Sequence, residues 1–107
     1  MNAEEKALSV FRCPPRCLNC AQTICFAVDR EDLVDSMKDR ARGNAPGGSC
    51  GALYAAMQIA PQHAESILAD FSAAQGAATC SALKAKRIPC PDNVLTALRL
   101  LLKHTSA

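Results

Sequence analysis

Pro89–Leu102 reads PCPDNVLTALRLLL. Pro91 and Asp92 form a helix start signal. Val94, Leu95, Leu98, Leu101 and Leu102 then recur at spacings of three and four, so one side of this helix is hydrocarbon. The same spacing recurs upstream. Leu53, Ala56, Met57 and Ala60 predict a helix from Cys50 to about Ala60, stopped by Pro61, and Ala64, Ile67, Leu68 and Phe71 predict the next. Cys80 to Lys86 reads as a short helix, Ala3 to Arg12 as another, and Ala21, Ile24, Cys25 and Val28 share one side of a third. Asp29 resembles the cap of a helix with Glu31 and Asp32 in its first turn and a stripe of Leu33, Val34, Met37 and Ala41 that ends near Gly43. GNAPGGS, Gly43–Ser49, is the one flexible loop. No run alternates with period two, so the expected fold is all-α, a compact bundle of about five to seven short helices in a single cysteine-rich domain spanning residues 1–107.

Of the 107 residues, 20 are alanine and only 4% are aromatic, so the core must be assembled from small side chains packed closely. The formal charge of +2 is too small and too evenly spread to favour a nucleic-acid surface or a polybasic membrane patch. No stretch approaches the roughly 18 apolar residues of a membrane span, and residues 1–20 lack the apolar core of a signal peptide. The reading is a cytoplasmic protein.

Seven cysteines do not suit an ordinary small domain in a reducing compartment. There, metal ligation, redox chemistry or simple burial remain. Placement narrows the choice. Asn19 precedes Cys20, Ser49 precedes Cys50 and Thr79 precedes Cys80, each a residue type that favours the helix N-cap. Cys90 lies two residues before the expected cap Asp92. At a helix start the free amides and the positive dipole end stabilise a thiolate and can donate to a metal-bound sulfur. Cys20, Cys50, Cys80 and Cys90 are separated by 30, 30 and 10 positions, unlike the local pairs of zinc ribbons or ferredoxins. They can form one site only if the bundle gathers several helix starts at one end. Cys13, Cys17 and Cys20 form a second, local C-x-x-x-C-x-x-C cluster. A triple of that spacing holds a four-iron cluster in radical enzymes with a barrel domain, which 107 residues cannot contain. Cys13 and Cys17 are therefore read as additional thiols, and Cys25, which shares a stripe with Ala21 and Val28, as core.

NCAQ at Asn19–Gln22, GGSCGAL at Gly47–Leu53, TCSAL at Thr79–Leu83 and Cys90 before the last amphipathic helix together resemble the C_GCAxxG_C_C family, described as redox-active proteins. The likeness runs from about Phe11 to His104 and equates the family's cysteines with Cys20, Cys50, Cys80 and Cys90. It implies a small helical domain of bacteria and archaea, many of them anaerobic, and a related domain appended to a multihaem cytochrome binds an iron–sulfur cluster. Ser49 stands where the motif has glycine, and Tyr54 and Ala55 occupy the region of its closing glycine. Haem attachment is not supported, because C-x-x-C-H is absent.

Two functions compete. In one, the four thiolates ligate an iron–sulfur cluster for electron transfer or redox sensing. In the other, the same low-pKa thiols form and break a disulfide. Zinc or copper would also suit soft thiolates. The chain carries no acid–base pair, so it reads as a redox protein with a protein redox partner rather than as an enzyme in its own right. His63 and His104 read as solvated, and the GGSCG loop lacks the G-K-[ST] of a nucleotide site. Lys84, Lys86 and Arg87 read as a solvated helix end. Leu100 falls off the main stripe of the last helix, which suggests a homodimer.

Overall fold

The computed structural model describes residues 2–41 and 43–105, and among them it contains six α-helices and no strand. They are α1 (Ala3–Val10), α2 (Cys20–Ala27), α3 (Gly51–Ile59), α4 (Ala64–Gln75), α5 (Cys80–Ala85) and α6 (Cys90–Thr105). The all-α expectation holds. The radius of gyration is 12.2 Å, slightly below the roughly 13 Å typical of this length, as an alanine-rich interior allows. Among the described residues no helix is long and apolar enough to cross a membrane.

α3 lies at the centre, packed against α2, α4 and α6. Ala52, Leu53, Ala55 and Ala56 are all fully buried, so this helix is covered around most of its circumference. Only methyl-sized side chains on most of those positions let three neighbours approach at once. Around it, Ile24 and Cys25 from α2, Ile67 and Phe71 from α4, Leu83 from α5, and Val94, Leu98 and Leu101 from α6 complete one continuous core. Cys25, with no exposed surface, is a core residue as its stripe suggested.

Two expectations fail locally. No helix follows Asp29. The amide of Arg30 donates to the Cys25 carbonyl at 2.8 Å and that of Asp29 to Phe26 at 3.1 Å, with Asp29 itself left-handed at φ 61°. This is a Schellman termination, so Asp29 closes α2 instead of opening another helix. Residues Glu31–Leu33 and Asp35–Met37 form separate 3₁₀ turns that still bury Val34 and Met37. Aspartates at 32, 35 and 39 and Ser36, whose hydroxyl donates to the Leu33 carbonyl at 2.7 Å, compete with an α-helical backbone while the apolar spacing survives. The second failure is at α6. It starts at Cys90, because the Pro89 carbonyl accepts from the Asp92 and Asn93 amides. Asp92 lies in the first turn, where the dipole favours a carboxylate, instead of at the cap.

Candidate thiol site

All four cysteines picked out by their neighbours stand at helix beginnings. Cys20, Cys80 and Cys90 are the first residues of α2, α5 and α6, and Cys50 is the N-cap of α3. Together with Gly51, Leu83, Lys84, Ile88 and Asn93 they line one small cavity of about 30 Å³.

Local interactions explain the convergence. Asn19 caps α2 by accepting from the Gln22 amide at 2.8 Å, while Gln22 Oε1 accepts from the Asn19 amide at 3.1 Å. Asn19 Nδ2 also donates to the carbonyls of Met37 and Lys38, at 3.2 and 2.8 Å, which pins the approach to Arg40 beside the start of α2. The starts of α3 and α5 are joined directly: Ser49 and Thr79 form an antiparallel bridge, and the Cys50 amide donates to the Ala78 carbonyl at 2.8 Å. The Thr79 hydroxyl accepts from the Ala82 amide at 3.3 Å and caps α5. From α5 to α6 the chain reverses through a second Schellman turn, with Arg87 left-handed at φ 60° and the Ile88 amide bonded to the Leu83 carbonyl at 3.2 Å. That reversal carries Cys90 back to the cavity.

Gly51 is the tightest joint. A Cβ built there would lie 2.6 Å from Cys20 Sγ and would also strike the Arg40 carbonyl. A glycine at this position lets the start of α3 press against the Cys20 sulfur. Sequence reading placed Gly51 inside the helix expected from Cys50 and missed this role. Asn93 was also missed. It is a buried polar residue on the cavity wall, its Oδ1 accepting from Gln75 Nε2 at 2.9 Å. Arg12 adds a cation at the edge, with Nη2 4.0 Å from Cys90 Sγ.

The site's electrostatics differ from the low-pKa expectation. The amides of Ala21 and Ala52 favour a Cys20 thiolate, and those of Leu53 and Ala52 favour a Cys50 thiolate, as helix starts should. Desolvation outweighs them. Burial pushes the Cys20 thiol up and the Cys50 thiol up to about 11, and the charges of neighbouring thiols, Cys90 and Cys80 for Cys20, Cys20 and Cys80 for Cys50, raise them further. Burial cannot be seen from a cap residue, so sequence reasoning recorded only the favourable half of this balance.

Cys13 and Cys17 do not join the group. Both are exposed in the loop between α1 and α2 and line no part of the cavity. His63 and His104 also lie apart from it, half-buried rather than solvated, with rings stacked at 5.9 Å and His104 Nε2 2.8 Å from Asp70 Oδ2. All seven cysteines are free thiols.

The chain matches no protein-family model, and no curated protein or solved structure is significantly similar to it. What the site can do therefore rests on its own chemistry. Among the described residues no three His, Cys, Asp or Glu side chains are gathered to hold a single metal ion. A tetrahedral thiolate ion with bonds of about 2.3 Å would hold its sulfurs within about 4 Å of one another. The four soft donors line a shared space of about 30 Å³.

Proposed function

We propose that this chain is a small redox protein in which Cys20, Cys50, Cys80 and Cys90 hold an iron–sulfur cluster for electron transfer or redox sensing. The observation that carries the reading is that four cysteines remote in sequence each begin a helix and line one cavity. Supporting it are four thiols on one cavity, apolar walls from Leu83 and Ile88, and backbone amides lying against the sulfurs of Cys20 and Cys50. When bound, such a cluster supplies one-electron chemistry at a potential set by hydrogen bonds to sulfur, net charge and solvent exposure. The chain's part is to fix the four thiolates, direct the amides of Ala21, Ala52 and Leu53 at sulfur, and keep water out with Leu83 and Ile88. Arg12 beside Cys90 and Lys84 on the wall lower the cost of gathering negative charge. The likeness to the C_GCAxxG_C_C family supports the reading at the motif residues alone.

Zinc or copper is a further alternative occupant of the same thiolates. Thiol–disulfide exchange led by Cys20 or Cys50 is disfavoured, because a thiol pushed up by burial is a poor nucleophile near neutral pH. The reading places the protein in the cytoplasm with a protein redox partner. Leu100 is half-buried against the protein's own core, so a homodimer would use Leu102, 39% exposed on α6, and light scattering at micromolar concentration tests it.

Protein prepared without oxygen and analysed for iron, acid-labile sulfide, zinc and copper decides among these. The reading expects a coloured protein with iron and sulfide in equal amounts, bleached by acid, and loss of iron on replacing any of Cys20, Cys50, Cys80 or Cys90 by alanine. C13A and C17A should keep their iron. Colourless protein with a full complement of zinc, or iron content indifferent to the four substitutions, would overturn it.

A further inference from the structure

The seven thiols fall into three environments. Four line the cavity, Cys25 is sealed in the core, and Cys13 and Cys17 face solvent. The last two are not merely near in sequence. The Cys17 amide donates to the Cys13 carbonyl at 2.8 Å, a bond from residue i+4 back to i. The Cα of Cys13 lies two bonds from that carbonyl oxygen and the Cα of Cys17 one bond from that nitrogen, so standard bond lengths hold the two Cα atoms within about 6.7 Å of each other. Bridged cysteines span about 4.4–6.8 Å between Cα atoms. The base of the turn is clamped, since the Arg12 amide donates to the Leu18 carbonyl and the Leu18 amide to the Val10 carbonyl, both at 2.9 Å, with Leu18 buried. The two thiols cannot drift apart without breaking those bonds and exposing Leu18.

We propose that Cys13 and Cys17 form a surface dithiol–disulfide couple that exchanges with an external disulfide, independently of whatever the cavity binds. In the forward direction one thiolate of the pair attacks a sulfur of the external disulfide R–S–S–R. A mixed disulfide forms, and RS⁻ leaves and takes up a proton. The second thiol loses its proton to solvent and attacks the protein sulfur of that mixed disulfide. The Cys13–Cys17 bond forms and a second RS⁻ leaves, so two electrons and two protons pass from the protein to two RSH. A dithiol reductant runs the sequence backwards. Exposure supplies the access this chemistry needs, and the clamped turn keeps the resolving thiol within reach of the mixed disulfide.

The test uses the reduced protein treated with glutathione disulfide without oxygen. In intact mass the expected product has lost two hydrogens, and once unfolded in urea it takes up N-ethylmaleimide at five of the seven thiols. Trypsin cuts after Arg12 and Arg16, so the peptide that starts at Cys13 should emerge joined to the one that starts at Cys17, with fragmentation placing the bond on Cys17. C17S should stop at a single glutathione adduct on Cys13. Two stable glutathione adducts on the wild-type loop, a bridge between other cysteines, or seven alkylatable thiols after treatment would each overturn the proposal. None of these outcomes bears on the iron content of the cavity, so this proposal and the cluster reading stand or fall separately.

Discussion

Gly51→Ala should destabilise this protein, against the ordinary expectation for glycine in a helix. Alanine is normally worth up to about 1 kcal/mol over glycine within a helix, and it would also bring GGSCG closer to the GCA of the motif it resembles. The backbone at Gly51 is helical, so no left-handed conformation stands in the way. The obstacle is space. The added carbon would lie 2.6 Å from Cys20 Sγ and against the Arg40 carbonyl, and a backbone oxygen cannot swing aside as a long side chain can. Overpacking of this kind costs about 1–3 kcal/mol, which the helical gain offsets only in part, leaving a net loss of up to about 2 kcal/mol. For 107 residues an unfolding entropy of about 2.1 cal/mol/K per residue converts that into a melting temperature lower by up to about 9 °C. Circular dichroism melts of the reduced, metal-free protein measure it. A double-mutant cycle with Cys20→Ala adds a check, because removing the sulfur relieves one of the two collisions and should make the pair less damaging than the sum of its parts. A G51A protein that melts at or above the wild-type temperature would show that α3 does not press on Cys20 and Arg40 as described.

The reduced, metal-free protein should lose stability on the alkaline side. Burial holds the thiols of Cys50 and Cys25 up at about 11 in the fold against an ordinary value of 9.0. The native state therefore keeps protons that the unfolded chain releases, and stability falls as pH rises from about 9 towards 11, by roughly 2–3 kcal/mol per thiol at most. Urea midpoints at about pH 8 and about pH 10.5 report it, Cys25→Ala should remove part of the slope, and a flat profile counts against the burial argument. Asn19→Ala deletes a capping box and two bonds to the 37–38 carbonyls, so urea unfolding should show a loss of about 1–2 kcal/mol. Arg87→Gly relieves a left-handed residue at φ 60° and should stabilise by about 0.5–1 kcal/mol in the same assay; a loss would contradict the Schellman geometry.

Periodicity and cap chemistry made the helices legible because both are local properties. Asn19 and Thr79 cap α2 and α5 as their residue types suggest, with Cys20 and Cys80 first in those helices, whereas α3 takes Cys50 itself as its N-cap in place of the expected Ser49, with no side-chain cap bond. Proximity across the bundle was not legible. Nothing in Ser49 or Thr79 announces that they bridge one another. Asp29 misled for a related reason. An aspartate between two apolar stripes suits the N-cap of the second helix, and only the backbone shows it closing the first. Gly51 fell inside the helix expected from Cys50, and only the fold shows Cys20 filling the space its side chain would need.

The balance at Cys20 and Cys50 says what kind of occupant four such thiols suit. As neutral thiols they gain little from the amides of Ala21, Ala52 and Leu53, since S–H is a weak acceptor beside a thiolate. As free thiolates they would gain those amides but meet desolvation and one another's charge, the effects that push both residues up. Neither free state uses the helix starts well. Holding a multiply charged cationic centre would let these thiols deprotonate with their mutual repulsion offset, and the amides of Ala21, Ala52 and Leu53 would then be stabilising contacts to sulfur. The same burial that makes Cys20 and Cys50 poor nucleophiles therefore makes them suitable ligands. On that ground the four cavity thiols are proposed as cluster ligands, while thiol–disulfide exchange is proposed for the exposed pair Cys13 and Cys17, which do not line the cavity.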